Sequence, residues 1–184
     1  MMEKWEVYAE GTFNNMRGNA HNWDRSFDDK RKISRDFYYG VFDAGNPNPT
    51  DLISEKALEN QLTRRTSLNT WDHYHCPQFV GRMIMSNQEK YLTDYEEFKK
   101  IFLVCTQQIR VTKKENDALS FLTEPDKEDY KVLVSTNLKY NHLGINLYKR
   151  QEGKSRWKNS DPVDSNILEV PEDLLEYEKR YLVE

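Results

Sequence analysis

The sequence predicts a mainly β protein, an antiparallel sheet with peripheral α-helices, and three observations carry that expectation. The run from Asn116 to Arg150 holds three β-type segments in succession with short polar breaks, which reads as a meander. Within it Ala118–Thr123 alternates, and Lys131–Ser135 is apolar after its lysine. Leu138, Tyr140 and His142 share one side of a pleat, and Lys139, Asn141 and Leu143 take the other. The second observation is Ile33–Phe42, which alternates with aromatics on both faces. The third is a pair of apolar strand candidates, Phe79–Met85 and Ile109–Val111.

The remaining elements follow in chain order. Met1–Ala9 suits either a short amphipathic helix or a strand, with Trp5 and Tyr8 three apart. Residues 43–49 form a loop by their Gly and Pro content, and Thr50 then caps a helix through Leu62. Thr93 and Glu96 have capping-box spacing ahead of the apolar run Ile101–Cys105. Lys154–Ser165 is polar. Pro171 begins a terminal helix with acids in its first turn, part of an extension over about 168–184.

Composition bounds the function classes. A chain of 184 residues is most simply one domain, here residues 1–184. Charged residues make up 32%, yet 11 Tyr and 8 Phe supply enough aromatic surface for a folded core. The net charge is −4 with basic residues scattered among acids, so no electrostatic footprint for nucleic acid is present. No window reaches a membrane span and the N-terminus lacks a signal peptide's pattern, so a cytoplasmic protein is expected. Cys76 and Cys105 are too few for a disulfide scaffold and read as structural thiols.

Several motifs together resemble the S-type phycobiliprotein lyases. Ala118-Leu-Ser-Phe-Leu-Thr-Glu124, the acidic pair Glu128–Asp129, an apolar core and Ser135-Thr-Asn-Leu-Lys139 follow that family's hairpin. Gly11-Thr-Phe-Asn-Asn-Met-Arg17 with His21 is similar to its first strand, Trp71-Asp72 to its W-D pair, and Arg110 falls on its G-R strand without a gap to Leu119. Phe13, Asn15, Arg65, Asn141 and Leu143 depart from the family's pattern. The resemblance implies a calycin or lipocalin-like β-barrel with its core over about residues 11–150.

It also implies a function: binding a linear tetrapyrrole, phycoerythrobilin or phycocyanobilin, inside the barrel and assisting its thioether attachment to a cysteine of a phycobiliprotein subunit. Carried over by position, Arg17 and Lys139 would hold the propionates, Asp129 would face the pyrrole nitrogens as the catalytic acid, Trp71 would stack on the rings, and Arg110 would complete the ligand set. Lysine cannot form arginine's bidentate fork with a carboxylate, which weakens the propionate site. The alternatives are a calycin-type carrier of another apolar or tetrapyrrole ligand without lyase activity, and an interaction protein with a filled barrel. A homodimer is compatible with either. Asp72-His73-Tyr-His75-Cys76 places two imidazoles on one side of a strand, a pattern that suits zinc or iron, but a structural site needs four ligands and only His142 or Cys105 could complete it by folding. No metal is expected.

Overall fold

A computed structural model of the protein describes residues 2–122 and 138–180. It overturns the mainly β expectation: of the described residues 59% are helical and 13% lie in strands, an α/β fold around one open five-stranded sheet rather than a closed barrel. The elements among the described residues are α1 (Lys4–Asn19), α2 (Phe27–Ala44), β1 (Leu52–Ser54), α3 (Glu55–Leu62), β2 (Asn69–His73), α4 (Pro77–Ser86), α5 (Gln88–Tyr91), α6 (Tyr95–Cys105), β3 (Gln108–Thr112), α7 (Lys113–Ser120), α8 (Leu138–His142), β4 (Leu147–Arg150), β5 (Ser160–Val163) and α9 (Glu172–Glu178).

The helices arise from periodicities that compete with alternation. In α2, Ile33, Phe37, Val41 and Ala44 recur at helical spacing and are buried, whereas Tyr39 and Phe42 are exposed. Ser26 caps the helix by accepting from the Asp29 N–H at 3.1 Å. Aromatics on both sides made the same ten residues look like a strand. Phe79–Met85, also expected as a strand, is the buried body of α4, which starts on Pro77. Ile101–Cys105 belongs to α6, whose cap is Asp94 rather than Thr93.

The helix expected from Thr50 begins only at Glu55, capped by Ser54, because Leu52–Ser54 is first used as β1. The expected meander dissolves: Lys113–Ser120 and Leu138–His142 are helical, and Lys131–Ser135 lies outside the described residues. The strand at Ile109–Val111 and the terminal helix after Pro171 are found where expected.

Two buried clusters divide the interior. The first is built by α1, α2, α4, α6 and α9. Phe13, Phe37, Phe98 and Phe102 meet edge-on there, with ring centroids 5.3–5.9 Å apart along the chain of contacts. Helices α2 and α4 cross closely because Gly81 has no side chain: a Cβ there would stand 3.0 Å from the Phe37 Cβ and 3.2 Å from the Ser34 carbonyl oxygen. The second cluster joins Leu52, Ile109, Val111 and Leu147 of the sheet to Tyr74, Leu119, Leu122, Tyr140 and Ile145.

The sheet has the order β2-β3-β1-β4-β5. Strand β1 lies at its centre, parallel to β3 and antiparallel to β4, and all three of its residues are buried. Glu115 ties β1, α3 and α7 together: its carboxylate accepts from the Ser54 hydroxyl at 2.7 Å, the Thr112 N–H at 2.8 Å and the Thr112 hydroxyl at 2.9 Å. Strand β2 forms one outer edge. Among the described residues, no helix is long and apolar enough to cross a membrane.

Candidate functional site

Side chains alternate along β2, so Trp71 and His73 face one side of the sheet and Asp72 the other. On the first side each meets its cross-strand partner. The Arg110 guanidinium lies over the Trp71 ring, 4.5 Å from its centroid, and donates from Nη1 to Gln61 Oε1 at 2.8 Å. Desolvation lowers the pKa of Arg110, though it remains a cation. The Gln108 side-chain amide donates to His73 Nε2 at 3.0 Å, which puts the ring proton on Nδ1. Burial holds His73 to a pKa of about 4, and the Asp72 carboxylate only partly opposes that fall. The imidazole is therefore neutral near pH 7.

On the other side, Asp72 meets α8. Lys139 Nζ donates to Asp72 Oδ2 at 2.6 Å and to the His73 carbonyl at 2.6 Å, and the Tyr140 hydroxyl donates to the same carboxylate oxygen. Lys139 is 4% exposed and Tyr140 fully buried, so this is an internal ion pair with a phenol attached. Burial, then the adjacent Asp72 charge, raises the Tyr140 pKa and keeps the phenol protonated as a donor. The His73 carbonyl points away from β3, since Asp72 and Tyr74 make the bonds to that neighbour. Lys139 thus closes part of an edge that would otherwise be open.

A cleft of about 260 Å³ wraps this edge. Tyr38 and Phe42 of α2 form one wall, Asn116, Leu119 and Ser120 of α7 another, and Cys76-Pro77-Gln78 closes one end. Trp71, Asp72, His73 and Lys139 supply the floor. Trp71 is 44% exposed and Phe42 58%, so two large apolar rings are left at the rim. The edge of the Tyr38 ring meets His73, with centroids 6.4 Å apart.

The residues expected to form a bilin site separate into groups. Trp71, Arg110 and Lys139 are gathered around β2, although Lys139 neutralises Asp72 and is not a free propionate ligand. Arg17 is on α1, its guanidinium 6.0 Å from the Phe13 ring centroid, and it does not line the cleft. Asp129 lies outside the described residues.

Sequence reasoning missed Tyr38, Phe42 and Gln108; for the first two, the available signal was the helical spacing of Ile33, Phe37 and Val41. His73 and His75 do not act together. His73 lines the cleft, while His75 is fully buried with a pKa of about 3, set mainly by desolvation and then by the Lys139 charge; the nearby Glu169 backbone opposes the fall. Among the described residues, no group of three His, Cys, Asp or Glu side chains converges on a metal position.

The arrangement can hold a planar group between aromatic rings while offering it polar partners. No protein-family model matches the sequence, and no curated protein or solved structure matches it either.

Proposed function

We propose that the chain is a binding protein for a small planar, partly apolar ligand bearing a hydrogen-bonding group, taken up in the cleft at the β2 edge. The observation that carries this reading is the pairing of partly exposed Phe42 and Trp71 with a floor whose charges are already compensated. Apolar pockets with few fixed polar groups are the usual form of small-molecule sites, and about 260 Å³ falls just below their usual size range, which restricts the cleft to a small ligand or one ring of a larger one. The ligand rings would lie against Trp71 and Phe42, and a donor or acceptor would reach His73, Asp72 or Ser120.

A linear tetrapyrrole belongs to this ligand class and remains a candidate, now with one terminal ring in the cleft rather than the whole chromophore in a barrel. Its transfer to a phycobiliprotein cysteine would be a second step, tested only after binding. Purified protein would be titrated with phycocyanobilin and, separately, with anilinonaphthalene sulfonate. Visible absorption reads the first and fluorescence the second. Trp71→Ala and Phe42→Ala should each weaken binding about tenfold, the effect of losing roughly 1.4 kcal/mol of ring contact, and Arg17→Ala should leave it unchanged. Binding indifferent to Trp71 and Phe42, or no binding of either probe near 100 µM, would remove the cleft from consideration.

A further inference from the structure

Arg110 is a half-buried cation that, among the described residues, has no carboxylate partner. It stands on β3 on the same face of the sheet as Trp71, its cross-strand neighbour, and is held by the Trp71 ring at 4.5 Å and by Gln61 at the end of α3. Of the N–H donors in its fork, one is spent on Gln61 Oε1. The guanidinium borders an open pocket of about 560 Å³, whose other lining residues are Gln61, Thr66, Asn69, Thr70 and Trp71. No acid is among them. Gln61 turns its amide oxygen to Arg110, which leaves the amide N–H groups unspent, and the Thr66 and Thr70 hydroxyls make no hydrogen bond among the described residues. Glu59 lies two residues before Gln61 and so on another side of α3. The turn after α3 adds two exposed basic residues, Arg64 and Arg65, immediately before Thr66.

We propose that this pocket binds a phosphate-type oxyanion, seated on the Arg110 fork with the Thr66 and Thr70 hydroxyls and the Gln61 amide as further donors. A cation partly withdrawn from water without a partner costs free energy, which a bound anion offsets. The stack on Trp71 and the bond to Gln61 fix the plane of the fork in advance, so little side-chain freedom is lost when two oxygens of one anion dock on it. The remaining donors come from a strand, a helix and a turn, and therefore from several directions. A tetrahedral anion can accept from all of them, whereas a carboxylate accepts near a single plane. Trp71 also lines the cleft, so the oxyanion arrives either as free phosphate or as the phosphate ester of a ring-bearing ligand lodged in that cleft. The second source rests on the binding reading given above; the pocket itself does not.

The test is titration of nitrogen-15-labelled protein with inorganic phosphate and, separately, with phenyl phosphate at constant ionic strength, following the Arg110 side-chain N–H and Trp71 indole resonances. Saturable shifts of both are expected. Arg110→Gln should weaken the binding of either probe at least about tenfold, the loss of a charge-assisted hydrogen bond, and Arg110→Lys should lose less. Equal affinity for the two probes assigns the site to free phosphate; tighter binding of phenyl phosphate, with only the gain removed by Phe42→Ala, assigns it to an ester. Wild-type resonances that do not move, or binding that survives Arg110→Gln, would overturn the proposal. Inorganic phosphate carries no ring, so its failure to bind would condemn the Arg110 pocket and leave the cleft standing.

Discussion

Lys139 is a buried cation whose removal would leave Asp72 facing the sheet interior without its counter-charge. Losing one member of a buried pair costs about 3 kcal/mol or more. Lys139→Met should therefore lower the urea midpoint by that equivalent, and combining it with Asp72→Asn should cost less than the sum of the two single changes, because both act on one interaction.

His73 and His75 impose a pH limit of a definite sign. Both rings are held neutral in the folded state, with pKa values of about 4 and about 3 against an ordinary value of 6.5. As pH falls below 6.5 the unfolded chain takes up protons that the folded one refuses. The stability is complete above 6.5 and is lost progressively toward 4, by up to about 1.4 kcal/mol per pH unit for each ring. Urea midpoints measured from about pH 7.5 down to pH 5 should fall accordingly, and His73→Gln should flatten the slope. The site was legible only in part at this scale. Trp71, Arg110 and Lys139 were identified by resemblance and do gather at β2, yet Lys139 was expected to meet a ligand and instead meets Asp72, a pairing of residues 67 apart in sequence that no local pattern encodes.

Elements are joined at two points where a small change should propagate. Glu115 accepts three hydrogen bonds that link the caps of α3 and α7, so Glu115→Ala removes a capping box and leaves the Ser54 hydroxyl buried without that acceptor. A loss of about 2–3 kcal/mol is expected in denaturant unfolding, with Glu115→Gln losing less. Gly81→Ala would press against the Phe37 Cβ and the Ser34 backbone at the α2–α4 crossing, at a cost of about 1–3 kcal/mol seen as a lower melting temperature. Strand-like reading failed in α2 for a physical reason: Ile33–Phe42 carries apolar or aromatic groups on its exposed face as well, at Tyr39 and Phe42, so the helical period of Ile33, Phe37 and Val41 is masked by an apparent alternation. Strand β3 and helix α9 were legible because one alternates with charged and polar neighbours and the other starts at proline followed by acids.

At the scale of the whole molecule, the helical cluster and the sheet cluster share the interior, with Val170 packed against both, and the pairings that build them differ in reach. Helix α1 packs on α2, its immediate successor, and α2 packs on α4. The centre of the sheet joins Ile53 to Arg110 and Leu52 to Lys149. The barrel reading could not foresee this, since it expected neighbours in sequence to be neighbours in the sheet. Strand β1 consequently has no partner among its neighbours in sequence, and closing such long loops is slow compared with docking successive helices. Refolding should therefore proceed in order: amides of α2, α4 and α6 gain protection in pulsed hydrogen exchange before those of β1 and β4. Because the Lys139–Asp72 pair joins residues 67 apart in sequence, the cleft at the β2 edge would take its final shape only after the helical cluster has formed.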